Sequence, residues 1–190
     1  MTTRAGEHRA GPNGPAALSG DTGRSALPVR LVTATAAHAE GTRDIYNRAI
    51  ESGTNTFDMT PRSLSDQLEW ILEHSGAYPA LVALSEDDLV VGFGSLSPYR
   101  PRPAYSTTVE NSVYVHDDFQ RRGIGRAILE ELVHLAEAHG FHAIMARIAG
   151  GNEASVVLHQ RCGFETIGIE REVGRKFAHW LDIVCMERLI

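Results

Sequence analysis

The sequence predicts an α/β (α+β) protein: one mixed sheet carrying helices on both faces. Three observations predict it. Strand-like and helix-like segments follow one another in the order β-α-α-β-β-β-α-β-α-β-β. Two apolar runs, "YPALVALSE" (78–86) and "LVVGFGSLS" (89–97), meet at the acidic turn Asp87–Asp88, a hairpin signal. Past the β-formers Val113, Tyr114 and Val115, the pattern changes to Ile124, Ile128, Leu129, Leu132 and Val133 at helical spacing. The chain has 190 residues, 43% hydrophobic and 22% charged, which fits one globular domain with an ordinary core.

The elements follow in chain order. Residues 1–28 are rich in Gly, Pro, Ala and polar residues and contain no aromatic residue, so a disordered tail is expected and the folded domain spans 29–190. That stretch also lacks the apolar core of a secretory signal, so the expected compartment is the cytoplasm. "VRLVTA" (29–34) reads as a strand. Thr35 caps a helix to about Ser52, burying Ala39, Ile45, Tyr46, Ala49 and Ile50. "SGTNTFDMTPRS" (52–63) is a loop of turn-formers around one aromatic, Phe57. Ser63 with Asp66 makes a capping box and opens a helix with Leu68, Ile71 and Leu72 on one face.

The hairpin of 78–86 and 89–97 comes next, then "PYRPRPAY" (98–105), too proline-rich for regular structure, and a strand over 106–115. A helix runs from Gly123 to about His139 and stops at Gly140. A strand (141–149), a helix (152–162) ended by Gly163, and two closing strands (164–172 and 178–190) complete the order.

Several functions are disfavoured at this level. A net charge of −6 argues against nucleic acid as the main partner, because binding a phosphate backbone wants a basic face. Cys162 and Cys185 show no CxxC pattern and read as reduced thiols. His134, His139 and His142 lack i,i+4 spacing and a carboxylate motif, so no metal is expected. No run of 18 apolar residues occurs, so no membrane span is expected.

The join between strand and helix, "FQRRGIGR" (119–126), is too cationic and too glycine-rich for an ordinary turn. A helix N-terminus offers free N–H groups and the positive end of a dipole. Gly123 and Gly125 let a diphosphate approach the main chain, and Arg121, Arg122 and Arg126 add charge. It is not a P-loop, because no Gly-Lys pair occurs in the chain. It is not a dinucleotide fingerprint, because Ile128 occupies the third glycine position. A glycine-softened turn with solvated arginines is the structural alternative.

"QRRGIG" (120–125) is the Q/R-x-x-G-x-G/A signature of the GNAT acyltransferase superfamily. "TVENSVYVHDDFQRRGIGRAILEELV", "IYNRAIESGTNTFDMTPRS", "GGNEASVVLHQRCGF" and "VGRKFAHWLD" resemble the phosphinothricin and methionine sulfoximine N-acetyltransferase family, over residues 29–190. The resemblance implies a GNAT fold: a mostly antiparallel sheet of six or seven strands with a splayed central parallel pair. It implies acetyl-CoA as cosubstrate, its pyrophosphate wrapped by Arg121, Arg122, Gly123, Ile124, Gly125 and Arg126. The pantetheine arm would lie along Val113, Tyr114 and Val115 as an added strand, with Asn152 and Ser155 beside it.

Glu110 is the expected general base, since it sits on an otherwise apolar strand where partial burial raises a carboxyl pKa, and the family's matching glutamate has that role. His159 stands where many superfamily members have a tyrosine that protonates the leaving thiolate; it shares a helix face with Asn152 and Ser155. A packed core histidine is the alternative. The substrate side is expected from Phe57, Arg100, Pro101, Arg102, Glu110, Asn111 and Ser112, the arginines suiting a carboxylate or phosphinate. Arg175, Ala178 and His179 depart from the family's tyrosine, glycine and arginine, leaving the exact amino acid open.

The implied reaction is acetyl transfer to the α-amine of a small amino-acid analogue, of phosphinothricin or methionine sulfoximine type, by a homodimer. Other readings keep the chemistry for a polyamine, aminoglycoside or protein N-terminus, or take the chain as a non-catalytic coenzyme A module.

Overall fold

The computed structural model describes residues 28–190; the tail expected over 1–28 falls outside it, except for Pro28. The elements are β1 (Arg30–Thr33), α1 (Ala39–Ser52), α2 (Leu64–Glu73), β2 (Ala80–Leu84), β3 (Val90–Pro98) and β4 (Thr108–Val115), followed by α3 (Ile124–Ala138), β5 (Ala143–Ala149), α4 (Glu153–Arg161), β6 (Glu165–Lys176) and β7 (His179–Leu189). The sequence order of elements is the predicted one. The strands form one seven-stranded sheet in the order β1-β2-β3-β4-β5-β7-β6. Only β4 and β5 pair in parallel.

Alternation along β2 divides the interior. Leu81 and Ala83 face a large core under α3, with Ile128, Leu129 and Leu132 wholly buried there. Val82 and Leu84 face the opposite side, where α1 contributes Ile45, Tyr46 and Ile50. Each face therefore has its own apolar layer, and the sheet is shared between them.

The parallel pair is short. β4 and β5 are in register only at Thr108↔Ala143, Val109↔Ile144 and Glu110↔Met145. Beyond that point β4 stays on β3 as far as Gly92↔Val115, and β5 stays on β7 as far as Ala149↔Ile183. Each strand is held by its outer neighbour, so the two halves of the sheet diverge. The splay leaves one edge of β4 unpaired from Asn111 onward.

Three local expectations are corrected. Leu72 is 78% exposed and Gln67 is wholly buried in its place, bonding Thr42 Oγ1 at 3.1 Å and receiving Arg62 at 3.2 Å. Two satisfied polar partners outweigh the apolar face that spacing suggested. Ala49 is half-buried instead of buried. The first closing strand is also longer than expected. β6 runs through an irregularity between Glu170 and Gly174 to Lys176, and the hairpin turns on Phe177 and Ala178 at φ 48° and 64°. Two left-handed residues suit a two-residue hairpin, but Phe-Ala carries none of the usual Asn-Gly signal.

Candidate active site

The splay opens into a cleft of about 1500 Å³, walled by β4 from Glu110, β5 from Ala146, the N-terminal turns of α3 and α4, and the loop after α1. At one end the chain leaves β4 through a 3₁₀ turn, Asp117–Phe119, capped by His116. Arg121 and Gly123 then adopt left-handed backbone, φ 59° and 82°. Left-handed residues in such a turn help aim backbone N–H groups at a common concavity, and α3 starts immediately behind them. A Cβ on Gly125 would lie 3.3 Å from Leu158 and 3.5 Å from Val115, so the wall is tight where the helix begins.

The arginines of this loop divide. Arg121 and Arg126 line the cleft, with Arg126 also bound to Glu130 at 2.7 Å. Arg122 lies over the Phe119 ring at 5.4 Å, its Nε buried and unpartnered among the described residues.

At the fork, Glu110 and Asn111 point to opposite faces of β4. Glu110 is half-buried on the α1 face. Burial pushes its pKa up, against the opposing pull of Arg147 and Arg100. Asn111 is buried on the α3 face, where Nδ2 donates to the Met145 carbonyl at 3.0 Å. That bond bridges β4 and β5 where their ladder stops. Asn111 Oδ1 in turn faces His159 Nε2 at 3.0 Å.

His159 is 4% exposed, and its other nitrogen meets the Ser155 carbonyl at 2.8 Å and hydroxyl at 3.4 Å. Burial lowers its pKa, opposed by the Ser155 carbonyl. Both nitrogens are engaged by protein groups, and the residue belongs to the cleft wall. Asn152 caps α4, its Oδ1 accepting from Ser155 N at 3.1 Å.

The loop 53–63 closes the α1 side. Tyr46 donates to Asp58 at 2.6 Å, Asn47 pairs with the backbone of Arg62 at 2.8 and 2.9 Å, and Lys176 donates to the Thr56 carbonyl at 3.0 Å. Phe57 lies where a Cβ on Gly174 would be, so the β6–β7 hairpin and this loop interlock. Phe57, Glu110, Asn111 and Ser112 all reach the cleft. Arg100, Pro101 and Arg102 do not line it: they are exposed, and Arg100 stacks on Tyr99 and Tyr105 at 4.9 and 5.8 Å. The proline-stiffened loop turns the Arg100 guanidinium toward two tyrosine rings, a cation–π arrangement.

The profile of the Acetyltransferase (GNAT) family matches residues 42–164, a span that contains the turn at 121–126, the fork and α4. The chain belongs to the GNAT acetyltransferase family. This acetyltransferase is similar to the L-methionine sulfoximine/L-methionine sulfone acetyltransferase of Pseudomonas paraeruginosa, 40% identical over 144 residues covering 75% of this chain and 84% of the relative. It is similar to phosphinothricin N-acetyltransferase of Streptomyces coelicolor, 40% identical over 148 residues covering 76% and 86% of the two chains. Among solved structures it is similar to a phosphinothricin acetyltransferase from Sinorhizobium meliloti in complex with acetyl-CoA, at TM-score 0.83 and 35% identity, covering 85% of this chain and 88% of that one.

Two residues of this acetyltransferase's site escaped sequence reading. Arg147 is the one exposed position of β5, "AIMARIA", and it lines the cleft. A lone charge in an apolar strand was the available signal. Lys176, only 3% exposed, anchors the Phe57 loop, and nothing local marked it as buried.

Proposed function

We propose that this acetyltransferase transfers acetyl from acetyl-CoA to the α-amine of a small amino-acid analogue of the phosphinothricin or methionine sulfoximine type, with Glu110 as general base. The observation that carries the reading is the fork: a half-buried carboxylate stands at the last ladder pair, where an unpaired strand edge begins. Acetyl-CoA supplies the activated acetyl thioester. The cleft fits that group: the free edge of β4 at Val113, Tyr114 and Val115 offers main-chain bonds to an amide-bearing arm, and the turn at 121–126 offers N–H groups to a diphosphate. Asn152 and Ser155 border the same path.

Glu110 takes the proton that an α-ammonium must lose before its nitrogen can attack. Its raised pKa brings it nearer the amine's, which makes it a stronger base than an exposed glutamate. Asn111, backed by His159, ties β4 to β5 through the bond to Met145 and so fixes where the fork begins. Arg48, Arg147 and Arg161 in the wall favour an anionic acceptor over a polyamine or aminoglycoside.

The reading includes a cytoplasmic homodimer. β6 is an edge strand that exposes Ile167, Ile169 and Val173, and Trp180 of the neighbouring β7 is exposed as well, each more than half, an apolar surface suited to a second copy.

Thiol release from acetyl-CoA, followed across phosphinothricin, methionine sulfoximine, methionine sulfone, spermidine and a peptide N-terminus, tests the proposal. Turnover concentrated on the amino-acid analogues is the expected result. Turnover confined to spermidine or the peptide overturns it.

A further inference from the structure

Every residue of β5 except Arg147 is buried, at 8% exposure or less. The exception lies two residues beyond Met145, the partner of Glu110 in the last ladder pair, so it is displaced along β5 by roughly 7 Å. Paired residues of neighbouring strands and their i+2 neighbours share a face. Arg147 and Glu110 therefore look into the cleft from the same side, the side closed by the Phe57 loop.

The guanidinium is held from across the sheet. Arg147 Nη2 donates to Glu170 Oε2 of β6 at 2.5 Å, with 34% and 37% of the two side chains exposed. Among the described residues this is the one hydrogen bond that Arg147 makes through its side chain, and a guanidinium has five donors in a rigid fork. Glu170 thus fixes the orientation and leaves donors for a second oxyanion. An amino acid carries its amine and its carboxylate on one carbon, so a base for the first and a cation for the second must stand side by side. The arginines expected to serve that purpose, Arg100 and Arg102, lie outside the cleft wall.

We propose that Arg147, oriented by Glu170, binds the carboxylate of the acceptor and thereby selects α-amino acids over neutral amines. The inference rests on the amino-acid reading above and adds the residue that recognises the acid. The acid group presents two oxygens to the fork, and the amine is left facing Glu110. Lysine cannot reproduce that planar, two-pronged contact.

The test compares kcat/KM for L-methionine sulfone with that for its carboxamide, which keeps the amine and side chain but removes the negative charge. Wild-type enzyme should prefer the acid, and Arg147→Met should abolish that preference, with a loss of about 10- to 100-fold on the acid. Arg147→Lys should retain a fraction of it. A change in the proton affinity of Glu110 acts on both acceptors alike and cancels in the ratio, so a purely electrostatic role on the base leaves the preference intact and overturns the proposal. Wild-type enzyme that acetylates acid and amide equally well also overturns it, while leaving the acetyltransferase reading standing. Wild-type enzyme that acetylates no amino-acid acceptor removes both. If the methionine variant fails to fold, as seen in its melting curve, the lysine variant decides in the same way.

Discussion

At the scale of single residues, Glu110 carries the most specific expectation. Glu110→Gln keeps shape and removes the base, so turnover at neutral pH should fall by about 10²–10⁴-fold, with cofactor affinity in calorimetry unchanged. The acid limb of the wild-type rate profile should lie above the range of an exposed glutamate, because burial raises the pKa of this carboxyl. The stability sign follows from the same shift. A carboxyl whose folded pKa exceeds its unfolded value stabilises the fold fully below the unfolded pKa, and that contribution disappears as pH rises through the folded pKa. The glutamine variant should therefore melt higher than wild type at neutral pH and close to it at pH 4. A glutamine variant with normal turnover across the pH range removes Glu110 from the mechanism. Glu110 was legible from sequence because a lone acid in an apolar strand is conspicuous. Arg147 presents the same signal, but its meaning depends on which strand lies beside it.

Among elements, the loop from β4 to α3 was the most legible. Its glycines, arginines and following apolar helix are contiguous, and left-handed backbone at Arg121 and Gly123 realises the turn they implied. Gly125→Asp adds a Cβ 3.3 Å from Leu158 and places a negative charge where a diphosphate would sit. Acetyl-CoA binding should be lost in calorimetry while the melting temperature stays within a few degrees of wild type. Retained affinity contradicts the phosphate role of the loop. The β6–β7 hairpin was the least legible element. Phe177 and Ala178 are poor turn formers, and the long antiparallel ladder on either side, not local preference, holds them at positive φ. Similarly, the buried face of α2 follows Gln67 and its partners in α1 and Arg62, contacts that no helical period reveals.

For the whole molecule, the β6 edge is the feature that bears on assembly. If its exposed Ile167 and Ile169, with Trp180 of β7, meet a second copy, sedimentation should give twice the chain mass of 20.7 kDa, and Ile169→Glu should yield the single-chain mass with the fold intact. A monomeric wild-type protein at micromolar concentration contradicts the dimer. The sequence by itself determined the order of the elements, the place of the candidate anion-binding turn and the candidate base, because each depends on residues adjacent along the chain and on periods of two or 3.6. Only the tertiary structure decided three things. It set the point at which β4 and β5 part, it put Asn111 into the bond that bridges them with His159 behind it, and it placed Arg147 rather than Arg100 in the cleft wall. The reason is physical: all three depend on pairings between segments distant along the chain, and a side chain's role there is set by the neighbour across the gap.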